Sequence, residues 1–283
     1  MSKTVVAIPV SLLALAAMVF LLMSQDDQRT PLSGELSSAN AVAAAGGIEV
    51  SLFCAASNQS VMEDIRRAYE AETGRKILIQ YGASQTLLSQ IEVSGTGDLF
   101  LPADDSYLTM AREKQLVNEM LQVASMRCVL VVRKGNPKHI SELSDVFAED
   151  VRFVQASPDA AAVGRLTKNV TTKLGIWDKL ETATDAYRTT VTDVANDLVV
   201  NAADAGIVYD AVVHAYPDLE IVEVPEFSDA VAQVSIGIVS SSKHPAAALH
   251  FARYIVAEDR GLQHYRRHGF RTNRGTAWSE SLR

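Results

Sequence analysis

Residues 48–101 read IEVSLFCAASNQSVMEDIRRAYEAETGRKILIQYGASQTLLSQIEVSGTGDLFL, and the order of elements within this stretch decides the fold. Ile48 to Ala55 is a β-rich run. Val61, Ile65, Ala68 and Tyr69 then recur at helical spacing until Gly74 stops the helix. Ile77 to Tyr81 is a second strand, and Leu87, Leu88 and Ile91 mark a second helix closed by Gly95-Thr96-Gly97. Asp98 to Leu101 begins a third strand. Strand and helix in alternation predict an α/β sheet with helices on both faces.

The alternation continues outward from this stretch. Val129 to Val132 is an apolar strand followed by the Gly135-Asn136-Pro137 turn, and Val151 to Gln155 is another strand. Helices are expected over Val163 to Leu174 and Val191 to Val200, and strands over Ala205 to Tyr209 and Ala232 to Val239. One long helical stretch is expected from Pro245 to Tyr265, with Ala248, Phe251, Ala252 and Ile255 on one face. Two α/β units follow, residues 48–128 with 232–283 and residues 129–231, joined by strands near 129 and 234. A cleft between such units is the preferred place for a small ligand.

Before residue 48 the chain is different. Val5 to Met23 is an uncharged apolar run long enough to cross a bilayer, preceded by Lys3 and followed by Asp26, Asp27 and Arg29. It reads as an export signal or a retained membrane anchor, and Lys3 on its short side points to a C-terminus outside. Residues 24–47, rich in Ser, Ala, Asp, Gln and Gly without an apolar period, read as a flexible tether. Cys54 and Cys128 sit in apolar strands, where free buried thiols are expected although a disulfide is compatible with export.

Across 283 residues, 34 acidic and 26 basic side chains leave a net charge of -8, which argues against a nucleic-acid partner. That charge also repels a small anion at long range, so an anion site here has to work through local dipoles and hydrogen-bond donors. Such donors are available where strands run into helices. Ser57 and Ser84 each end a strand just before a helical pattern and read as N-caps, with free backbone N–H groups beside them. Two helix starts on adjacent strands face one crevice and make an anion site. Ser157-Pro158-Asp159 and Thr192-Asp193-Val194 supply similar starts in the second unit.

Enzymatic signatures are missing: the sequence has no G-x-S-x-G, H-E-x-x-H, C-x-x-C or phosphate loop. His264 and His268 have metal-ligand spacing but lie beside Arg266 and Arg267, the setting of a solvated basic helix end. Neither an enzymatic activity nor a cofactor is expected.

Cys54-Ala55-Ala56-Ser57, Tyr81-Gly82-Ala83-Ser84-Gln85-Thr86-Leu87, Gly97-Asp98-Leu99-Phe100-Leu101-Pro102-Ala103-Asp104, Lys173-Leu174-Gly175-Ile176-Trp177-Asp178 and Gly206-Ile207-Val208-Tyr209 follow one another in a characteristic order. Together they resemble the ordered motifs of periplasmic molybdate-binding proteins of ABC transporters, over about residues 48 to 272. The resemblance implies a type-II periplasmic binding protein fold, two α/β lobes joined by a two-strand hinge, closing on molybdate or tungstate. It implies a monomer that docks on an ABC permease at the outer face of the cytoplasmic membrane. Carried over by position, the oxyanion ligands are the hydroxyls of Ser57, Ser84 and Tyr209 and the backbone N–H groups of Val163 and Val194. Asn58 departs from the family pattern, where an apolar residue is common, and the segment between Val200 and Gly206 is shorter than usual. The same fold also admits sulfate, ferric iron or an organic acid as ligand, or an anchored sensor or interaction module without a transport role.

Overall fold

The protein is described as a computed structural model over residues 48–281. The expected anchor or signal at 1–23 and the tether at 24–47 lie outside the described residues, among which no helix is long and apolar enough to cross a membrane.

Strands β1 (Glu49–Ala55) and β2 (Lys76–Gly82) run parallel, linked by helix α1 (Gln59–Thr73). Helix α2 (Ser84–Ser94) leads to β3 (Leu99–Leu101), which pairs parallel on the other side of β1. The apolar periods seen in the sequence are the buried faces: Val61, Met62, Ile65 and Tyr69 of α1, and Leu87, Leu88 and Ile91 of α2. Gly74 and Gly95 end the two helices at positive φ, a conformation that costs a side-chain-bearing residue energy.

After helix α3 (Ser106–Glu113) comes the one long strand, β4 (Val117–Arg133). The sequence marks only Val129 to Val132 of it. The preceding half is amphipathic, with Asn118, Glu119 and Met120 exposed, and so carries no continuous apolar run. Strands β5 (Phe153–Ala156), β6 (Thr184–Arg188), β7 (Ala205–Tyr209) and β8 (Leu219–Val222) build a second sheet segment, with helices α4 (Ala162–Lys173), α5 (Trp177–Thr182), α6 (Val191–Val199) and α7 (Asp210–Val213) between them. The chain then returns through β9 (Val231–Val239).

The main strand path is β2-β1-β3-β9-β4-β7-β5-β6, with β8 also paired to β4. Residues 117–127 of β4 pair with β9, and residues 128–133 pair with β7 and β8, so β4 belongs to both halves of the sheet. The ends of β1, β5 and β7 and the starts of α2, α4 and α6 are thereby brought together.

The single helix expected over Pro245 to Tyr265 is instead α8 (Pro245–Ile255) and α9 (Gly261–Arg267), followed by a short α10 (Trp278–Ser281). The break has a packing cause. A Cβ on Gly261 would lie 2.1 Å from the Ile255 carbonyl oxygen, so the chain folds back where only glycine lets backbone meet backbone. Cys54 and Cys128 are buried and free, in strands β1 and β4. His268, expected in a solvated helix end, instead faces Asp64 at 2.8 Å through Nε2 and Ser60 Oγ at 3.1 Å through Nδ1.

Candidate oxyanion site

The β1–α1 junction contains a 3-10 turn, Ala56–Asn58, so Ser57 lies inside that turn rather than at an N-cap. Ser84 is the first residue of α2, and the cap position falls on Ala83. Neither serine caps a helix, and each hydroxyl oxygen accepts a hydrogen bond from another donor. Asn58 Nδ2 donates to Ser57 Oγ at 3.3 Å, and the Ala103 backbone N–H donates to Ser84 Oγ at 3.1 Å. The hydrogen of each hydroxyl remains available.

Both serines line one small cavity with Ala55, Ala56, Gly82, Ala83, Ala103, Ala161, Ala162, Val163, Thr190, Val191 and Tyr209. Its space for the centre of a water-sized sphere is about 20 Å³, a little above the roughly 10–15 Å³ that a single water needs. None of the lining residues carries a formal charge. Small side chains bring the backbone close on every side.

Tyr209 ends β7, paired with Cys128 of β4, and is fully buried. Its hydroxyl has no hydrogen-bond partner among the described residues. Burial, with the neighbouring Cys128 and Asp104, pushes that hydroxyl well above its ordinary pKa, so it stays a neutral O–H donor. A buried, unpartnered hydroxyl costs about 1–3 kcal/mol, and such groups mark places where a ligand completes the bonding.

Val163 is the second residue of α4, whose start is held by Ala161 N donating to Ser157 O at 2.9 Å. The N–H groups of a helix's first turn have no intrahelical acceptor, so the backbone at Val163 presents a donor at the cavity wall. Gly164 makes this possible, since a Cβ there would lie 2.2 Å from the Ala156 carbonyl oxygen.

Val194 is not among the lining residues, and its N–H donates to Thr190 O at 3.4 Å within α6. Its side chain packs instead on Gly206, 2.7 Å from where a Cβ would stand. Thr190, not Thr192, caps α6: Asp193 N donates to Thr190 Oγ1 at 3.2 Å, and Thr190 N donates to Asp193 Oδ2 at 3.0 Å. Val191, the first residue of α6, therefore carries the helix-start N–H at the cavity in place of Val194. The pattern Thr190-Val191-Thr192-Asp193, a capping box, is the sequence signal that identifies this start.

The nearby carboxylates have other partners. Asp193 belongs to the capping box, and Asp210 accepts from Arg127 N at 2.8 Å, Ala211 N at 2.9 Å and Arg271 at 3.0 Å. The walls meet at the rim, where Gln85 N of α2 donates to Ala160 O ahead of α4 at 3.1 Å. The Arg165 guanidinium of α4 lies over the Tyr107 ring of α3 at 5.4 Å. No cluster of acidic, cysteine or histidine side chains able to hold a metal ion occurs among the described residues.

The chain is similar to known proteins in sequence and in fold. The molybdate-binding protein ModA of Mycobacterium tuberculosis is 28% identical over 216 residues, 75% of this chain and 80% of that protein. The Azotobacter vinelandii periplasmic molybdate-binding protein superposes with a TM-score of 0.67 at 16% identity, covering 80% of this chain and 100% of that one. The sulfate-binding protein SubI of M. tuberculosis superposes with a TM-score of 0.70 at 18% identity, covering 79% and 86%. These structures share the type-II periplasmic binding protein fold, which is the fold of this chain. The profile of the bacterial extracellular solute-binding proteins matches residues 50–271. The chain belongs to that family, whose members are not enzymes but extracytoplasmic proteins that bind a small ligand and deliver it to the permease of an ABC transporter.

Proposed function

We propose that this protein captures molybdate or tungstate between two lobes, residues 48–128 with 232–283 and residues 129–231, and presents it to an ABC importer. The observation that carries the reading is the fully buried, unpartnered Tyr209 hydroxyl in a cavity shared with Ser57 and Ser84. On this reading the ligand accepts from those hydroxyls and from the N–H groups of Val163 and Val191. Hydrogen bonds to a charged partner contribute about 1.5–3 kcal/mol each.

The donor set narrows the ligand class. Ferric iron needs anionic ligands, whereas the cavity has no carboxylate lining and burial keeps Tyr209 protonated. Hydrogen phosphate brings a proton that wants an acceptor, and Asp193 and Asp210, the candidates for that role, are engaged elsewhere. A fully deprotonated tetrahedral dianion fits best. The similarity to ModA favours molybdate or tungstate over sulfate. Export and membrane attachment through Val5 to Met23, and action as a monomer, complete the proposal.

The test is a calorimetric titration with molybdate, tungstate, sulfate and phosphate, backed by thermal shifts. A ligand at a hundred times its Kd stabilises by about 2.7 kcal/mol. Ser57→Ala with Ser84→Ala is expected to weaken molybdate binding by about 3–6 kcal/mol if the two losses add. If no oxyanion raises the melting temperature, the transport reading is wrong and a ligand-free sensor or interaction module takes its place.

A further inference from the structure

Behind Ser57 lies a buried chain of polar groups that reaches across the whole sequence. Tyr265 of α9 donates its hydroxyl to Asn58 Oδ1 at 3.1 Å, and Asn58 Nδ2 donates to Ser57 Oγ at 3.3 Å. Asn58 and Tyr265 are both 0% exposed. Phe270 meets the Tyr265 ring edge-on at 4.9 Å and fixes it. The chain continues no further than Ser57, whose residue is at the cavity wall.

We infer that Asn58 is a positioning residue of the oxyanion site, directing the Ser57 hydroxyl hydrogen into the cavity. This rests on the oxyanion reading and deepens it. A serine has one hydrogen to give. With an amide N–H aimed at Oγ from behind, that hydrogen cannot turn back toward Asn58, and the cavity is the direction left. The Tyr265 hydroxyl sets the amide the right way round: it donates, so it takes Oδ1 and leaves Nδ2 facing Ser57. Burial keeps that hydroxyl protonated. Ser84 is held in the same way by the Ala103 N–H, so each serine oxygen already accepts one bond and both hydroxyl hydrogens are left to give. A site oriented like this favours a ligand whose every oxygen is an acceptor and disfavours one that arrives with a proton.

The experiment compares the parent chain, Asn58→Leu, Ser57→Ala and the double variant, titrated with molybdate and with phosphate on both sides of the second phosphate ionisation. Asn58→Leu is expected to weaken molybdate binding about five- to tenfold and to narrow the preference for molybdate over hydrogen phosphate. In the Ser57→Ala background the same change is expected to matter by less than about twofold, because the group it orients is gone. A merely structural role for Asn58 predicts equal losses in both backgrounds, and that result, or an unchanged or tighter Kd for Asn58→Leu, overturns the inference. Should Asn58→Leu lose the parental near-UV spectrum, Tyr265→Phe carries the test, with an expected loss of about two- to threefold that again requires Ser57. A parent chain that binds no oxyanion overturns the oxyanion reading and this inference together; binding by the parent with no Asn58–Ser57 coupling overturns this inference alone.

Discussion

Tyr209→Phe separates stability from binding. The substitution removes one oxygen from a fully buried side chain, and that oxygen has no hydrogen-bond partner in the protein. An unsatisfied buried polar group costs about 1–3 kcal/mol, so its removal is expected to stabilise the protein in the absence of ligand. Each 1 kcal/mol corresponds to roughly 2–4 °C in Tm for a domain of this size. The oxyanion loses a donor worth about 1.5–3 kcal/mol, a Kd weaker by roughly 10- to 150-fold. The two effects have opposite signs, as expected where a site is kept polar for function at the expense of stability. Scanning calorimetry without ligand and titration calorimetry with molybdate measure them independently. A Tyr209→Phe chain that melts below the parent without ligand, or binds molybdate as tightly, would refute the reasoning.

Proline distinguishes the two candidate donors on α6. At Val191 it is expected to remove only the N–H at the cavity, because proline suits the first helical position and Thr190 already has extended angles (φ -125, ψ 162); molybdate affinity falls about tenfold or more in titration while Tm barely moves. At Val194 it deletes the bond to Thr190 O and is expected to cost about 3 kcal/mol of stability by urea denaturation. Gly164→Ala pushes a Cβ against the Ala156 and Ser157 backbone, and a loss of about 1–3 kcal/mol in urea is expected, together with weaker binding as the α4 start is displaced. Glu258, hydrogen-bonded by Arg266 and by Gly275 N–H, is held down to about 2. A depressed carboxylate stabilises above its unfolded pKa of about 4.3 and loses that contribution as pH falls toward about 2, so Glu258→Gln is expected to flatten the acid limb of Tm against pH within that window.

Much of this was legible because local pattern and global fold agree. Ala205–Tyr209 is a strand in both, since an unbroken run of small and apolar residues bounded by polar ones suits a fully buried β-strand. The first half of β4 escaped because an amphipathic strand shows mixed burial rather than a run. At the site, Ser57 and Ser84 were recognisable as residues where strand becomes helix, but their reading as caps was wrong. A cap bonds the first turn of its own helix, whereas Ser57 accepts from the side chain of its neighbour Asn58 and Ser84 from Ala103 N, which a later part of the chain brings to it. Val194 came from the family resemblance by position, and the capping box at Thr190 puts the first helical residue three positions earlier, at Val191. The unpartnered state of the Tyr209 hydroxyl is a tertiary fact with no sequence signature.

That unpartnered hydroxyl also bears on how an acidic protein can hold an anion. A net charge of -8 works against the approach of a dianion, and no charged residue lines the cavity to compensate. The favourable energy has to come from donors already fixed in place, so that their ordering is complete before the ligand arrives. Fixed donors without an acceptor are costly, and the buried Tyr209 hydroxyl, with no partner among the described residues, is such a donor. A form in which water reaches the same donors would avoid the cost. On the oxyanion reading the ligand supplies the missing acceptors only when the walls meet, and its differential affinity for the closed form is what shifts the population. On that reading the donors that select the ligand would also make closure report its presence, which a permease needs in order to distinguish a loaded protein from an unloaded one.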